Sequence, residues 1–375
     1  MGHSGARIPH VASRRRLTIQ GCPTDLEPYT VSGEDCVMKA MIVREAGGPF
    51  TLDEREIPEP GPGEIRIKVE ACGICHSDAF VKFGQFPGLE LPRAPGHEVA
   101  GVVDALGDGV DAFGVGHRVG VGWHGGHCFK CNSCRRGDFI NCGNAKIAGI
   151  SYDGGYQEYM VCPWEAAARV PDELSPVEAA PLLCAGITTY NALRNSGARP
   201  GDLVAVQGVG GLGHLAIQFS NRMGFRTVAV SGGKDKEQLA RDLGAHEYID
   251  SKSDDEVAEL QRLGGANLIL ATAPNGKAIE GIMNGLHGRG KLMLVAAAPD
   301  PISINAFAML SGKMLHGWPS GTAVDSEDTM SFAAFAHVRP QIERFPLEAA
   351  NEAFAKVMEN TIRFRAVLDM ASYAA

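Results

Sequence analysis

Four cysteines in one short stretch are the clearest sign of chemistry in this sequence. Their spacing is Cys128-x2-Cys131-x2-Cys134-x7-Cys142. Four thiolates complete a tetrahedral shell with no open position, which is typical of a structural zinc site. An iron–sulfur cluster uses the same residue type, but the bacterial ferredoxin run closes with a three-residue gap and a Cys-Pro pair. Here the last gap is seven residues and Gly143 follows, so zinc is favoured.

Three other segments carry groups that bind metals or move protons. The turn Gly73-Ile-Cys75-His76-Ser77-Asp78 offers a thiolate, an imidazole, a hydroxyl and a carboxylate, and Gly96-His97-Glu98 offers an imidazole beside a carboxylate. Cys184 lies far along the chain in Pro181-Leu-Leu-Cys-Ala-Gly-Ile-Thr-Thr-Tyr. Each segment alone is weak evidence for a metal site, because a single buried cysteine usually serves only as a small apolar side chain in the core. They form one site only if the fold brings these distant positions together.

A glycine-rich turn indicates a nucleotide site. The segment Gly208-Val-Gly210-Gly211-Leu212-Gly213 follows the apolar segment Leu203–Gln207 and precedes a helical pattern at 214–222. In this strand–turn–helix setting the spacing is typical of dinucleotide binding, with the pyrophosphate on backbone N–H groups at the helix start.

The end of the next strand bears on which nicotinamide cofactor is bound. In NAD-binding proteins an acidic residue about 20 residues after the glycines holds the ribose 2′-hydroxyl. Here the segment Thr227-Val-Ala-Val ends in Ser231, and Lys234, Asp235 and Lys236 follow. A hydroxyl with nearby cations accommodates a 2′-phosphate, so NADP is favoured over NAD. The alternatives are that Asp235 reaches the ribose and that the lysines simply begin an exposed helix.

The predicted secondary structure that positions these motifs changes along the chain from antiparallel strands to alternating strands and helices. From Met38 to about Val121, alternating segments such as Ile65-Arg-Ile-Lys-Val-Glu are separated by Pro-Gly and Gly-Asp turns, which predicts an antiparallel β-rich domain. From about residue 176, a helical pattern at 176–195 leads into apolar strands alternating with helices, which predicts a parallel sheet covered on both faces. A helical stretch at 346–359 and the strand Arg365-Ala-Val-Leu follow. We therefore expect an α/β protein in which a doubly wound domain interrupts a β-rich one.

Composition excludes several classes of protein. The 375 residues are 45% hydrophobic and 21% charged, an ordinary globular balance. No apolar run approaches the roughly 18 residues needed to span a bilayer. The formal charge of −9 argues against a general nucleic-acid binder, which needs a basic field. Ten cysteines are too sparse for a disulfide scaffold in a chain of this length.

Residues 1–37 differ from the remainder. They hold four arginines before the first acidic residue, Asp25, and no apolar stretch of the kind found in secretory signals. This composition is compatible with a mitochondrial transit peptide. Translation starting at Met38, which would make the segment an extension outside the native protein, is favoured. We therefore expect a cytoplasmic protein, with the mitochondrial matrix as the alternative.

Taken together, the motifs resemble those of the zinc-dependent medium-chain alcohol dehydrogenases. The resemblance covers about residues 38–375, and the motifs occur in the family's order. It implies a GroES-like catalytic domain at 38–184 and 321–375, with a zinc lobe at 124–143, and a Rossmann nucleotide-binding domain at 185–320. It also implies a homo-oligomer, either a dimer or a tetramer, that acts on a small alcohol or aldehyde.

The resemblance implies two zinc ions per chain. Cys75, His97 and Cys184 would hold the catalytic ion in the Cys₂His shell known for alcohol dehydrogenase, with one exchangeable position, and the four-cysteine lobe would hold the structural ion. Asp78 would orient the His97 ring, and Glu98 would lie behind the metal.

The resemblance also implies cofactor and substrate contacts. His76 and Arg365 would face the pyrophosphate, and Val295 would lie against the nicotinamide. Phe86 and Trp123 match positions that usually wall the substrate cleft, although core packing explains them equally well.

The proton path departs from the family pattern at one position. Many relatives have a histidine three residues after the Ser or Thr that receives the proton, and here that position is Phe80. The relay would run from Ser77 through the cofactor ribose or directly to water. The implied reaction transfers a hydride between a primary alcohol or aldehyde and NAD(P), with zinc lowering the pKa of the substrate oxygen. The alternatives are a zinc-free quinone reductase of the same superfamily and a zinc-ribbon binding module without catalysis.

Overall fold

Strands form most of the regular structure in the first half of the computed structural model, which describes residues 37–296 and 298–370. The turns between these strands contain the Pro-Gly and Gly-Asp pairs noted in the sequence. In chain order, the elements of this half are β1 (Val37–Val43), β2 (Phe50–Glu56), β3 (Glu64–Ile74), α1 (Ala79–Lys82), β4 (Val99–Leu106), β5 (Arg118–Val121), β6 (Tyr159–Pro163) and β7 (Ala167–Arg169).

Helices and strands alternate from residue 176 to residue 317. The strands are short and apolar, which suits a sheet that is buried on both faces. In chain order, the elements are α2 (Pro176–Pro181), α3 (Ile187–Arg194), β8 (Leu203–Gln207), α4 (Gly213–Arg222), β9 (Arg226–Ser231), α5 (Glu237–Asp242), β10 (Glu247–Asp250), α6 (Glu256–Arg262), β11 (Ala266–Ala271), α7 (Gly276–Ile282), β12 (Leu286–Leu294), α8 (Ala306–Met309) and β13 (Met314–Gly317). The last part contains α9 (Ala323–Phe335), β14 (Ile342–Phe345), α10 (Ala350–Met358) and β15 (Arg365–Asp369).

Two main sheets position the motifs. One is six-stranded and parallel, in the order β10-β9-β8-β11-β12-β13. The other has the order β14-β15-β3-β4-β5-β7, with β6 paired to β3, and strands from the two ends of the chain meet where β15 pairs with β3. Its pairs are antiparallel except that β14 runs parallel to β15. The predicted combination of a β-rich part with a doubly wound α/β part is confirmed.

The helical predictions at 176–195 and 346–359 are confirmed, and the structure adds the type of turn, which apolar periodicity does not resolve. In the first segment a π-helical turn, Leu182–Gly186, lies between α2 and α3. The second begins with a 3-10 turn, Leu347–Ala349, before α10 starts.

A continuous apolar core joins the two sheets. One cluster of buried side chains includes Ala100 and Ala168 from the β-rich part, Leu183 from the π-helical turn, and Val206 and Leu270 from the parallel sheet. Within the described ranges, no helix is long and apolar enough to cross a membrane. The predicted extension at 1–37 lies outside those ranges except for Val37, at which β1 begins.

Candidate functional site

Cys75 lies at the end of β3, where the chain enters a short 3-10 turn, His76–Asp78. The Asp78 carboxylate folds back on this turn, and its Oδ2 accepts a hydrogen bond of 2.8 Å from the Cys75 backbone N–H. This contact fixes the start of the turn and the direction in which the chain leaves the strand. Ser77 is half-buried, whereas His76 is exposed.

The same carboxylate holds His97. Asp78 Oδ1 lies 3.1 Å from His97 Nδ1, and both side chains are almost completely buried. Asp78 Oδ2 also accepts a 3.0 Å hydrogen bond from the hydroxyl of Tyr156. Because Nδ1 faces a carboxylate, it carries the ring proton, and Nε2 keeps a free lone pair.

Cys184 lies in the π-helical turn, Leu182–Gly186. A π turn holds one residue more than an α turn, and such turns are frequent at functional sites. The hydroxyl of Thr189 donates to the carbonyl oxygen of Ala185 at 2.8 Å and lies 3.1 Å from that of Gly186. Thr189, in the next turn of the helix, therefore stabilises the wide turn.

These segments bring four donor groups to one point. One donor atom each from Cys75, His97, Glu98 and Cys184 lies within 4.8 Å of the others. Cys75 Sγ and Cys184 Sγ are 3.8 Å apart. A disulfide needs about 2.05 Å, whereas two thiolates on one tetrahedral zinc, with Zn–S of about 2.3 Å, lie roughly 3.8 Å apart.

The electrostatics of the cluster also suit a divalent ion. His97 Nε2 is buried without a hydrogen-bond partner among the described residues, which is the condition of an atom that is free to bind metal. The hydrogen bond with Cys184, together with His97, lowers the pKa of the Cys75 thiol well below its ordinary value. The residues present therefore fit zinc.

Glu98 connects this cluster to the other end of the chain. Its Oε1 forms a buried ion pair with Nη2 of Arg365 on β15. Its Oε2, the atom that lies among the donor groups, has no hydrogen-bond partner among the described residues. Burial raises the pKa of Glu98, and the guanidinium of Arg365 works in the opposite direction by favouring the ionised carboxylate.

The four cysteines of the lobe also converge. Cys142 Sγ lies 3.6 Å from Cys128 Sγ and 3.9 Å from Cys131 Sγ, and Cys134 completes the set. The backbone N–H of Asn144 donates to Cys142 Sγ at 3.3 Å. The Asn144 side chain is the main cause that lowers the pKa of Cys128 to about 6. Four thiolates at this spacing, supported by N–H donors, fit a structural zinc.

The glycine turn has the close approach that a dinucleotide site requires. Gly208 has a φ of +100°, and a methyl group added at Gly213 would lie 1.9 Å from the Gly208 carbonyl oxygen. A methyl group at Gly210 would meet nothing within 4 Å, so open space lies beside the turn. His214, at the start of α4, keeps Nδ1 3.0 Å from the carbonyl oxygen of Gly210. The turn is therefore held in place and leaves room for a pyrophosphate.

Further cofactor candidates lie along the same edge of the parallel sheet. Ser231 ends β9, and its hydroxyl lies 3.5 Å from Nζ of Lys236. Val295 follows β12 and lines a cavity of about 450 Å³ with Gly317 and Trp318. Trp318 Nε1 is buried without a partner among the described residues, which leaves a hydrogen-bond donor at this cavity. This cavity is large enough for a nicotinamide ring, and the Trp318 N–H could donate a hydrogen bond to it.

Three aromatic rings form a wall beside the metal cluster. Phe80, Phe86 and Trp123 meet edge to face, with centroids 5.9, 6.3 and 6.5 Å apart. The Trp123 ring also lies edge-on to His97 at 5.0 Å. All three rings are partly exposed. They can therefore contact a substrate, and Phe86 and Trp123 also pack against the core of the β-rich part.

Comparison with known proteins identifies the family. Residues 61–172 match the model "Alcohol dehydrogenase GroES-like domain", and residues 211–333 match "Zinc-binding dehydrogenase". The alcohol dehydrogenase patD of Penicillium expansum is 46% identical over 332 residues, which cover 88% of this chain and 97% of the relative. The chain belongs to the zinc-binding alcohol dehydrogenases.

Other members of this alcohol dehydrogenase family extend the comparison. An alcohol dehydrogenase of Geobacillus stearothermophilus is 40% identical over 89% of this chain and 99% of its own length. A cinnamyl alcohol dehydrogenase structure from Sorghum bicolor superposes with a TM-score of 0.82 at 30% identity, covering 90% of this chain and 98% of that chain. The chain is therefore an oxidoreductase of the medium-chain superfamily with a GroES-like part and a Rossmann-like part, as the sequence predicts, and its relatives argue against a non-catalytic zinc ribbon.

Sequence reasoning missed three features of the alcohol dehydrogenase site. Tyr156 contacts Asp78 from 78 residues away, and no spacing pattern in the sequence connects the two residues. The sequence marks Phe80 only as a replacement for the family's histidine and does not indicate its contacts with Phe86 and Trp123. Arg365 pairs with Glu98, so the arginine has a protein partner in addition to the cofactor pyrophosphate that the sequence analysis assigns to it. The roles of these and the other site residues remain predictions.

Proposed function

We propose that the chain is an NADP-preferring zinc alcohol dehydrogenase that interconverts a primary alcohol and its aldehyde. Cys75, His97 and Cys184 hold the catalytic ion, and the four lobe cysteines hold a second, structural ion. When bound, zinc acts as a Lewis acid on the substrate oxygen, and the nicotinamide exchanges a hydride with the substrate carbon.

One observation carries this proposal. Donor atoms from three segments, with a sulfur–sulfur distance of 3.8 Å, surround a buried imidazole nitrogen that has no other partner among the described residues. Two thiolates and a neutral histidine balance the charge of a divalent ion. They also leave a fourth position for the oxygen of a substrate.

The residues around the ion prepare the reaction. Asp78 fixes the ring position and the tautomer of His97. Ser77 accepts the proton of the alcohol through its hydroxyl and passes it toward solvent. Phe80 cannot take up a proton, so the path from Ser77 leads through the cofactor ribose or water. The wall of Phe80, Phe86 and Trp123 excludes bulk water from the reacting carbon.

The cofactor site supports NADP over NAD. Ser231 stands at the end of β9, where an acid would repel a 2′-phosphate, and Lys236 lies beside it. In the same proposal Gly208, Gly210, Gly211, Leu212 and Gly213 carry the pyrophosphate together with His76 and Arg365, and Val295 contacts the nicotinamide.

A pair of cysteine variants tests the catalytic assignment. Cys184→Ala should abolish alcohol-dependent reduction of the nicotinamide and lower the zinc content from two ions per chain to one, while the lobe ion stays bound. Cys162→Ala, which removes a buried thiol that belongs to the apolar core and to neither cysteine cluster, should keep both ions and most of the turnover. Normal kcat in Cys184→Ala would contradict the assignment. Zinc content of the wild-type protein also separates the proposal from a zinc-free quinone reductase, because one ion or none would favour the rival.

Assembly and location complete the proposal. β13 is an edge strand of the parallel sheet. Phe307 on the preceding α8 and Leu310, which directly follows α8, are each 79% exposed. Such an edge with apolar neighbours supports a homo-oligomer. Light scattering should give a dimer or tetramer, and Leu310→Asp should lower the mass. We place the protein in the cytoplasm, and a fluorescent fusion carrying residues 1–37 would reveal import into mitochondria if those residues direct it.

A further inference from the structure

The loop that follows β9 is tied to strand β10. Tyr248 places its hydroxyl 2.9 Å from the carbonyl oxygen of Ser231 and 2.6 Å from that of Gly233. Asp250 Oδ1 accepts hydrogen bonds from the backbone N–H groups of Gly233 at 2.6 Å and Lys252 at 3.0 Å. These bonds hold the loop in one shape. They also engage the Asp250 carboxylate, the buried acid closest to this loop, with backbone amides.

Lys252 lies across this loop. A methyl group added at Gly232 would lie 3.1 Å from Cγ and 3.2 Å from Cε of Lys252. The aliphatic stem of the lysine therefore rests on the glycine backbone, at a spacing that a larger residue would disturb. The side chain reaches the loop from the segment after β10, not from the β9–α5 segment that holds Lys236.

A second lysine approaches from the other direction. Lys236, at the end of the 3-10 turn Lys234–Lys236, has its Nζ 3.5 Å from the hydroxyl oxygen of Ser231. The opposing charge is Asp235, since a methyl group added at Gly233 would lie 2.4 Å from its Oδ1. Lys252 and Lys236 thus approach the loop from two directions. Their two ammonium groups supply the cations that a phosphate dianion requires, while backbone amides already occupy Oδ1 of Asp250.

We propose that Lys252 is a determinant of cofactor specificity that, with Ser231 and Lys236, binds the 2′-phosphate of NADP. The inference rests on the proposed NADP preference and names a residue outside the glycine motif. A phosphate dianion accepts several hydrogen bonds, and lysine serves as a compact point charge for it. Gly232 permits the approach of Lys252, and Asp250 holds the backbone from which Lys252 extends.

Adenosine 2′,5′-bisphosphate and 5′-AMP test this directly. They differ in the 2′-phosphate and lack the nicotinamide, so calorimetric titration reports on this subsite without turnover. The wild-type protein should bind the bisphosphate more tightly. Lys252→Ala should weaken bisphosphate binding by roughly five- to tenfold, the size expected for one partly screened ion pair, and leave 5′-AMP binding unchanged. Lys252→Arg should restore most of the loss.

Further variants strengthen the comparison. Gly232→Ala should give a smaller loss in the same direction, because its methyl group displaces the lysine stem. Lys68→Ala removes the same charge from an exposed position on β3 and should change neither affinity. Thermal unfolding of each variant checks that the fold is kept. In 0.5 M salt the effect of Lys252→Ala should shrink, because salt screens the interaction.

Each contrary result points to a different error. If Lys252→Ala keeps the wild-type preference for the bisphosphate, the role of Lys252 is wrong while the NADP assignment stands. An equal loss of both ligands would mean that Lys252 contacts the shared adenosine part, which also overturns its role. A wild-type protein that does not distinguish the two ligands would overturn the NADP preference and this inference together. Zinc content and alcohol-dependent turnover are measured separately and remain valid in every case.

Discussion

The carboxylate of Glu98 and the guanidinium of Arg365 form a buried ion pair between residues 267 positions apart in the chain. Glu98 adjoins His97 in the metal cluster. Arg365 also approaches the nucleotide turn, since a methyl group added at Gly211 would lie 3.0 Å from its Nη1. A single side-chain pair therefore links the proposed zinc site with the proposed pyrophosphate site.

Removing the arginine should destabilise the protein strongly. Arg365→Leu leaves Glu98 buried without its cation, and breaking a buried pair from one side costs about 3–5 kcal/mol. Urea unfolding of the zinc-loaded protein measures this loss. The double variant Glu98→Gln/Arg365→Leu should lose less than the sum of the two single variants, because it no longer buries an unpaired charge. Simple additivity would show that the pair does not act as a unit.

The contact between Asp78 and His97 should control metal affinity. Asp78→Asn removes the charge that orients the ring, and losing such a partner typically weakens metal binding about 10- to 100-fold. Competition with a chromogenic chelator would measure the affinity of the catalytic site. Asp104→Asn, which removes a carboxylate paired with Arg66 on the same sheet, serves as the control. Equal zinc affinity in both variants would contradict the role of Asp78.

The cysteine lobe should contribute to stability more than to the chemical step. Cys131→Ser should release one zinc ion and lower the midpoint of thermal unfolding by roughly 5 °C or more, because the binding energy of a structural metal adds to the folding free energy. Ser133→Ala, a change inside the same lobe that spares the sulfurs, should keep two ions and the original midpoint. Retention of both ions by Cys131→Ser would show that the lobe does not bind metal as proposed.

His214 should make stability depend on pH below neutrality. Burial lowers its pKa from an ordinary 6.5 to about 3. Between those values the unfolded chain binds a proton that the folded chain does not, so stability falls as the pH drops below about 6.5. At pH 5 the effect of this group is about 2 kcal/mol. His214→Gln should reduce the difference in urea stability between pH 7.5 and pH 5, whereas His287→Gln, at an exposed position, should not; equal slopes would refute the prediction.

A negative charge at the end of β9 should reverse the cofactor preference. Ser231→Asp would repel a 2′-phosphate and accept hydrogen bonds from the ribose hydroxyls of NAD. The ratio of NADPH to NADH dissociation constants, measured by nucleotide fluorescence, should shift toward NADH by roughly tenfold or more. Ser331→Asp introduces the same charge at an exposed position on α9 and should leave the ratio unchanged. An unaltered ratio in Ser231→Asp would count against Ser231 as a determinant.

Features that depend on residues close together in the sequence could be predicted, whereas contacts between distant residues could not. Local sequence patterns identify three features: the parallel strands, the glycine turn at 208–213 and the four-cysteine lobe. The partners of Asp78 and Glu98 depend on how β3, β4 and β15 come together, so Tyr156 and Arg365 could not be assigned as their contacts in advance. Likewise, Phe80 belongs to the ring wall because of packing that residue spacing does not encode.

The π-helical turn that holds Cys184 has a consequence for the whole interior. Successive residues of an α-helix are separated by about 100° around the axis. Deleting one residue from Leu182–Gly186 would regularise the helix and rotate either the sulfur or the whole of α3 by that angle. Because α3 packs against α4 and α9, the rotation could not be absorbed locally. The one extra residue in this turn therefore determines both the position of the Cys184 sulfur and the orientation of α3. A change that moved one of them would also move the other.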